Sequence, residues 1–144
     1  MSALTKVFAT QNSFSPLALR VPVGLILAAH GSQKLFGWFG GYGLEGTAQW
    51  MASIGLEPGL LMATLSGSAE FFGGVFLLLG LLTRPAAFVT AFTMVVAIFS
   101  VHIHNGLFMS NNGYEYALAL LAVTVSLLIS GGGRASLDSF IANK

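Results

Sequence analysis

Apolar residues fill four stretches of this chain, separated by short polar or glycine-rich segments. They run roughly 17–37, 59–82, 85–103 and 114–130, each close to the ~20 residues a helix needs to cross a bilayer. The polar residues inside them fall on stripes. In the first stretch Arg20, Val23, Leu27, His30 and Lys34 recur at helical spacing, which puts all five on one face. In the second, Ala63, Gly67, Glu70 and Gly74 share a face, and small residues there let another helix approach closely. In the fourth, Glu115, Ala119, Ala122 and Ser126 form a similar row. Charge in hydrocarbon is costly, so such groups are expected to face an interior or a wet cavity. The expectation is an all-α protein: one domain over 1–144, built as a membrane four-helix bundle with four transmembrane helices.

The connections carry their own signals. Pro16 suits a helix start, and Pro22 predicts a kink or a later start. Glycines and aromatics from Phe36 to Gly43 read as a helix end at the membrane interface. Thr47 to Ile54 predicts a short helix lying on the membrane, with Trp50 and Met51 facing lipid. Thr83-Arg84-Pro85 is a tight turn, Asn105 to Gly113 a turn-rich loop, and Gly131-Gly132-Gly133 a stop before a short amphipathic tail. Met1 to Ser15 reads as a polar lead or a short interfacial helix.

Composition strengthens the membrane reading. The chain of 144 residues is 55% hydrophobic and 8% charged, against about 25% charged in soluble domains. A formal net charge of +1 and the lack of a basic patch give no reason to expect a nucleic acid partner. With no cysteine, thiol redox chemistry and disulfides within the chain are excluded. Lys6, Arg84, Arg134 and Lys144 fall on one side of the predicted spans, and the opposite loops carry only Glu45 and Glu57. The positive-inside rule then puts both termini in the cytoplasm of a multi-pass inner-membrane protein. Val21 to Ala29 could pass for a signal-peptide core, but the apolar stretch runs on to Phe36, so cleavage is not expected.

Depth along each span, at about 1.5 Å per residue, sorts the ionisable groups. Glu70 falls between Arg20 and His30, which predicts Glu70 within hydrogen-bonding reach of one of them, with Arg20–Glu70 as the ion pair, and Lys34 matches Glu115 at the outer rim. His30, Lys34, His102, Asn105, Tyr114 and Glu115 are expected to line an outward-opening pocket. Two readings stay open. The groups can form a polar site that binds a quinone headgroup and carries protons, with Glu70 and His30 as the proton-handling residues. Alternatively, the charges are structural ion pairs that fix helix register. His30 and His102 lie at different depths, and His102-x-His104 points to opposite sides of a continuous helix, so neither haem nor a metal site is expected.

These residues, taken in order, resemble the DoxX family over roughly Pro16 to Asp138. The pattern has an early Arg (Arg20), His30-Gly31, Lys34 and Phe36-Gly37, then Glu70 followed by Gly73-Gly74. Gly80-Leu81-Leu82-Thr83-Arg84, Asn105-Gly106, Tyr114 to Leu118, and Gly133-Arg134-Ala135-Ser136-Leu137-Asp138 complete it. The resemblance implies a small four-span membrane protein. Relatives of that type include subunits linked to thiosulfate:quinone oxidoreduction and proteins associated with redox stress or quinone resistance. The expected function is therefore a part in a quinone-linked redox system, with quinone as ligand and a redox enzyme subunit or a second copy as partner. The alternatives are a non-catalytic membrane anchor and a small transporter or proton path.

Overall fold

The computed structural model describes residues 3–143, and every regular element among them is helical. The chain runs through α1 (Ala3–Val7), α2 (Ser15–Phe36), α3 (Gly43–Ser53), α4 (Gly59–Leu79), α5 (Thr83–Ala97), α6 (Glu115–Ser130) and α7 (Leu137–Ala142). A π turn at Ile98–His102 and a 3-10 turn at Ile103–Asn105 prolong α5. Among the described residues, two helices are long and apolar enough to cross a membrane, Gly59–Leu79 and Thr83–Asn105. Only 33% of each apolar window is buried within the chain, whereas the core helix of a water-soluble protein is mostly buried. Leu65, Phe72, Phe88, Phe92 and Phe99 stand outward on them, large apolar side chains that water does not favour.

Among apolar side chains in lipid, close packing rather than water exclusion decides which faces meet. The α2–α4 seam follows that rule. A Cβ on Gly24 would stand 2.8 Å from the Gly74 carbonyl oxygen, and one on Gly31 would strike the Phe71 backbone. Leu35 and Lys34 pack over Gly67. The small face of α4 is thus an inward face, with Ala63, Gly67, Glu70 and Gly74 all buried. Pro22 does not break α2, which is continuous through it. The main core adds Leu77 from α4, Ala87 and Met94 from α5, and Ala117, Leu120 and Leu127 from α6.

Two expected faces are corrected. On α6 the row of small residues turns away from the core: Ala119, Ala122 and Ser126 are exposed, while Ala117, Leu120, Thr124 and Leu127 face inward. The larger leucines fill the core, and Thr124 satisfies its hydroxyl by donating to Leu120 O at 2.9 Å. Near α3, Met51 is 5% exposed and packs with Ala48 and Ala63 rather than facing lipid. α3 lies on the first turns of α4, where Gly59 runs under the Ala48 carbonyl.

One end of the molecule is tied by backbone bonds. The Gln11 N–H donates to Ser130 O at 2.9 Å and the Arg134 N–H to Ser13 O at 2.8 Å. Arg84 donates to Ala9 O and Leu128 O, each at 2.9 Å. The N-terminal stretch, the α4–α5 turn and the C-terminal tail therefore meet at the same end.

Candidate functional site

Arg20 is the first residue to leave the expected site. It is 2% exposed and lies in the tied end, away from Glu70. Its Nε donates to Gly132 O at 3.0 Å, its Nη1 to Leu77 O at 3.2 Å and Leu78 O at 2.5 Å, and its Nη2 to Ala135 O. The last carbonyls of a helix lack intrahelical partners and carry negative partial charge, so a planar guanidinium with five donors fits there well. Gly80, at φ +64°, ends α4 close to the guanidinium, and a Cβ there would stand 3.0 Å from Arg20 Cζ. Asp138 completes this knot by accepting the Leu82 and Thr83 N–H groups at 2.7 and 2.8 Å. Those bonds cap α5 and hold Leu82 at φ +47°, a conformation that costs a non-glycine residue roughly 1–2 kcal/mol.

With Arg20 occupied elsewhere, Glu70 takes a different partner. Lys34 Nζ stands 2.6 Å from Glu70 Oε1. The pairing follows from the register of the seam: Leu35 and Lys34 lie over Gly67, one turn from Glu70. The expected Arg20–Glu70 and Lys34–Glu115 pairs are both absent among the described residues. Depth counting failed because α4 begins beside α3, beyond the end of α2. Glu115 turns with the outward row of α6 and accepts the Met109 N–H at 2.7 Å, closing the loop before the helix.

The pair forms part of the wall of a cavity of about 290 Å³. α2 supplies Leu27, His30 and Lys34; α4 supplies Ser66 and Glu70; α3 roofs it with Trp50 and Met51. Met94 and Ala97 of α5, and Tyr116 and Leu120 of α6, close the other sides. The lining is mainly apolar with a few convergent polar groups, the usual character of a small-molecule site. Glu70 is 3% exposed, and its Oε2 has no hydrogen-bond partner although it is buried. A buried acceptor without a donor is uncommon, and no donor among the described residues satisfies it.

His30 and His102 both line this cavity. The His30 side chain is exposed rather than packed inward, and its ring lies 6.1 Å from that of Tyr116. His102 sits on the π turn, whose extra residue re-aims the end of α5. Its Nδ1 stands 2.8 Å from Asn112 O. A carbonyl only accepts, so Nδ1 carries the hydrogen and Nε2 is left as the free ring nitrogen of the neutral form. Asn105, Tyr114 and Glu115 do not line the cavity. Asn105 donates to Val101 O and Asn112 O, and Tyr114 packs against the main core. Tyr116 and Trp50 take their places. Tyr116 carries no spacing signal of its own in the sequence, where it is one position beside the Glu115 row. No cluster of three potential metal ligands occurs among the described residues.

A second concavity, about 340 Å³, adjoins the first and shares His30, Lys34 and Trp50 with it. Gln33, Tyr42 and Thr47 give it a polar wall beneath the Gly40-Gly41 turn. The Lys34 side chain, 25% exposed, spans both spaces.

Several known proteins are similar to this chain in sequence. A Bacillus subtilis protein named "Putative oxidoreductase CatD" is 35% identical over 125 residues, covering 87% of this chain and 85% of its own. The Escherichia coli inner membrane protein YqjF is 33% identical over 131 residues, covering 85% and 95%. An uncharacterised membrane protein of Mycobacterium tuberculosis, Rv3486, is 31% identical over 140 residues, covering 90% and 83%. No solved structure matches. The DoxX family pattern matches residues 15–103, which takes in Arg20, His30, Lys34, Glu70 and His102. With that match and relatives of such coverage, this chain is a membrane protein that belongs to the DoxX family.

Proposed function

We propose that the cavity binds an oxygen-bearing ring of the quinone class, and that the protein works within a quinone-linked redox system of the bacterial inner membrane. The unpartnered Glu70 Oε2 carries this reading. An ionised carboxylate paired with Lys34 on one oxygen still offers an acceptor on the other. A ring hydroxyl, such as that of a hydroquinone, supplies the missing donor. Lys34, with donors to spare, can serve a ring carbonyl. Trp50, Met51 and Leu27 offer apolar faces for the ring. Glu70 then accepts the hydroxyl proton, and Lys34 and His30 link it to the polar concavity alongside. The name of the Bacillus relative includes an oxidoreductase, which supports a redox setting. Electrons pass between the ring and a partner protein or a bound cofactor in this scheme, since the chain has no cysteine for thiol redox chemistry.

The same reading extends to topology. α2 and α6 are proposed to cross the membrane with the two long apolar helices, giving four spans. The tied end holds Arg84 and Arg134 and is exposed at Lys6, so it is assigned to the cytoplasm with both termini.

Native mass spectrometry of the protein extracted gently from its membrane tests the ligand. The expected result is a bound compound of quinone mass. Partner chains with no ring compound, in a protein that stays folded, would favour the membrane-anchor reading instead.

A further inference from the structure

A third concavity lies on the lipid-facing side of α4 and α5. It measures about 300 Å³ and is almost wholly apolar, edged by Met62, Leu65, Ala69, Val89 and Phe92. Leu65 and Phe92 are 56% and 63% exposed, so it opens sideways rather than toward either end. It also shares Met51, Leu56, Ser66, Thr93 and Val96 with the walls of the Glu70 cavity. The two spaces therefore lie on either side of one thin partition. Ser66 stands one helical turn before Glu70, which places that partition beside the carboxylate.

The cause of the opening is local. Lower down, α4 and α5 touch closely, where a Cβ on Gly73 would meet Thr90 Cγ2. Nearer α3, the seam no longer carries glycine on α4, and the two helices are bridged by Met51 and Leu56 instead. Met51 is a flexible, unbranched side chain suited to a variable gap. Neither Ser66 nor Thr93 is left demanding a partner across the partition: Ser66 donates to Ala63 O at 3.4 Å and Thr93 to Val89 O at 3.0 Å.

We infer that this groove becomes a lateral opening for a hydrocarbon tail when the Met51 and Leu56 side chains of the partition swing aside, so that the tail of a ligand seated in the cavity reaches the lipid phase. The ligand is then a ring with a long apolar tail, entering from the membrane rather than from water. The inference rests on the proposed ring site and adds the tail and the route. The polar concavity beside His30 and Lys34 remains for protons, so apolar and polar traffic use different doors. Little free energy comes from moving a tail out of lipid into an apolar groove, since both phases are equally apolar. The groove matters sterically: a tailed ring seated at Glu70 needs somewhere for its tail to go.

Fluorescence tests this in the full chain reconstituted in lipid nanodiscs. Trp38 and Trp50 are the two tryptophans, and Trp50 lines the cavity. In a Trp38→Phe background, quenching of Trp50 therefore reports binding. Two probes are compared: duroquinone, a tailless ring, and decylubiquinone, with a ten-carbon tail. Ala69→Phe fills the groove from α4, and Val89→Phe fills it from α5 at a 44% exposed position. Each is expected to weaken decylubiquinone by at least about tenfold while leaving duroquinone within about twofold. Val89→Phe displaces little buried structure, so it keeps the test valid if Ala69→Phe does not fold. Equal effects on both probes, or none on either, would overturn the lateral opening while leaving the ring site intact. If neither probe quenches Trp50 saturably in the unsubstituted cavity, the ring site itself fails and the opening with it.

Discussion

Lys34 and Glu70 show how one residue pair changes meaning with its register. The sequence marked both as intramembrane charges on inward stripes, and both stripes meet at α2–α4. The partner choice was not legible, because a lysine stem reaches several ångströms along its helix and α4 starts beyond the end of α2. The consequence is measurable. Lys34→Met leaves Glu70 buried and unpaired, which should cost roughly 3 kcal/mol, the low end for a buried pair since Lys34 is partly exposed. Lys34→Met combined with Glu70→Leu removes both charges and should recover most of that loss. Unfolding in detergent, followed across both single variants and the double, gives the coupling. Strictly additive losses would mean that the two side chains do not act as a pair.

At the scale of elements, the tail α7 and the α4–α5 turn form one unit around Arg20 and Asp138. The resemblance pattern contained both residues, at opposite ends of the chain, but nothing in hydrophobic periodicity says that a span-one arginine clasps a tail. Its donors go to backbone carbonyls, which carry no sequence signature. Asp138→Ala should strip the caps from Leu82 and Thr83, costing about 1–3 kcal/mol for each donor left buried. The tail should then loosen, and trypsin should cut after the exposed Arg134 faster than in the parent protein. An unchanged cleavage rate would show that Asp138 does not hold the tail. Arg20→Lys should behave similarly, since an ammonium lacks the planar fork that reaches four carbonyls at once. On α6 the opposite lesson applies. A row of alanines and serine looked like a packing face, yet leucines won the core because they fill it. With that rotation of α6, Tyr116 rather than Tyr114 or Glu115 came to face the cavity.

For the whole molecule, the all-helical architecture and the family were plain in four apolar stretches and an ordered set of polar residues. The tied end gathers Arg84, Arg134 and both terminal segments, so a single measurement addresses orientation. A reporter fused after Lys144 should be active only if it works in the cytoplasm. Activity of a periplasm-only reporter there would reverse the assignment. The cavity wall was half legible: His30, Lys34, Glu70 and His102 stand out in the sequence as polar groups within or at the edge of apolar stretches. Trp50 and Met51 were missed because α3 was expected to lie outward on lipid, whereas packing on Gly59 and Ala63 turns it over the cavity.

The central claim is that the Lys34–Glu70 pair holds an oxygen-bearing ring. Its most direct test is a titration of Trp50 fluorescence with decylubiquinone in the Trp38→Phe protein, with and without the double change Lys34→Met and Glu70→Leu. Because the double change leaves no charge unpaired, a folded protein is expected, and any loss of binding belongs to the site rather than to unfolding. Saturable quenching in the parent, weakened by at least about tenfold in the double variant, is the predicted result. Equal saturable affinity in both proteins, or quenching that rises without saturation in the parent, would contradict it.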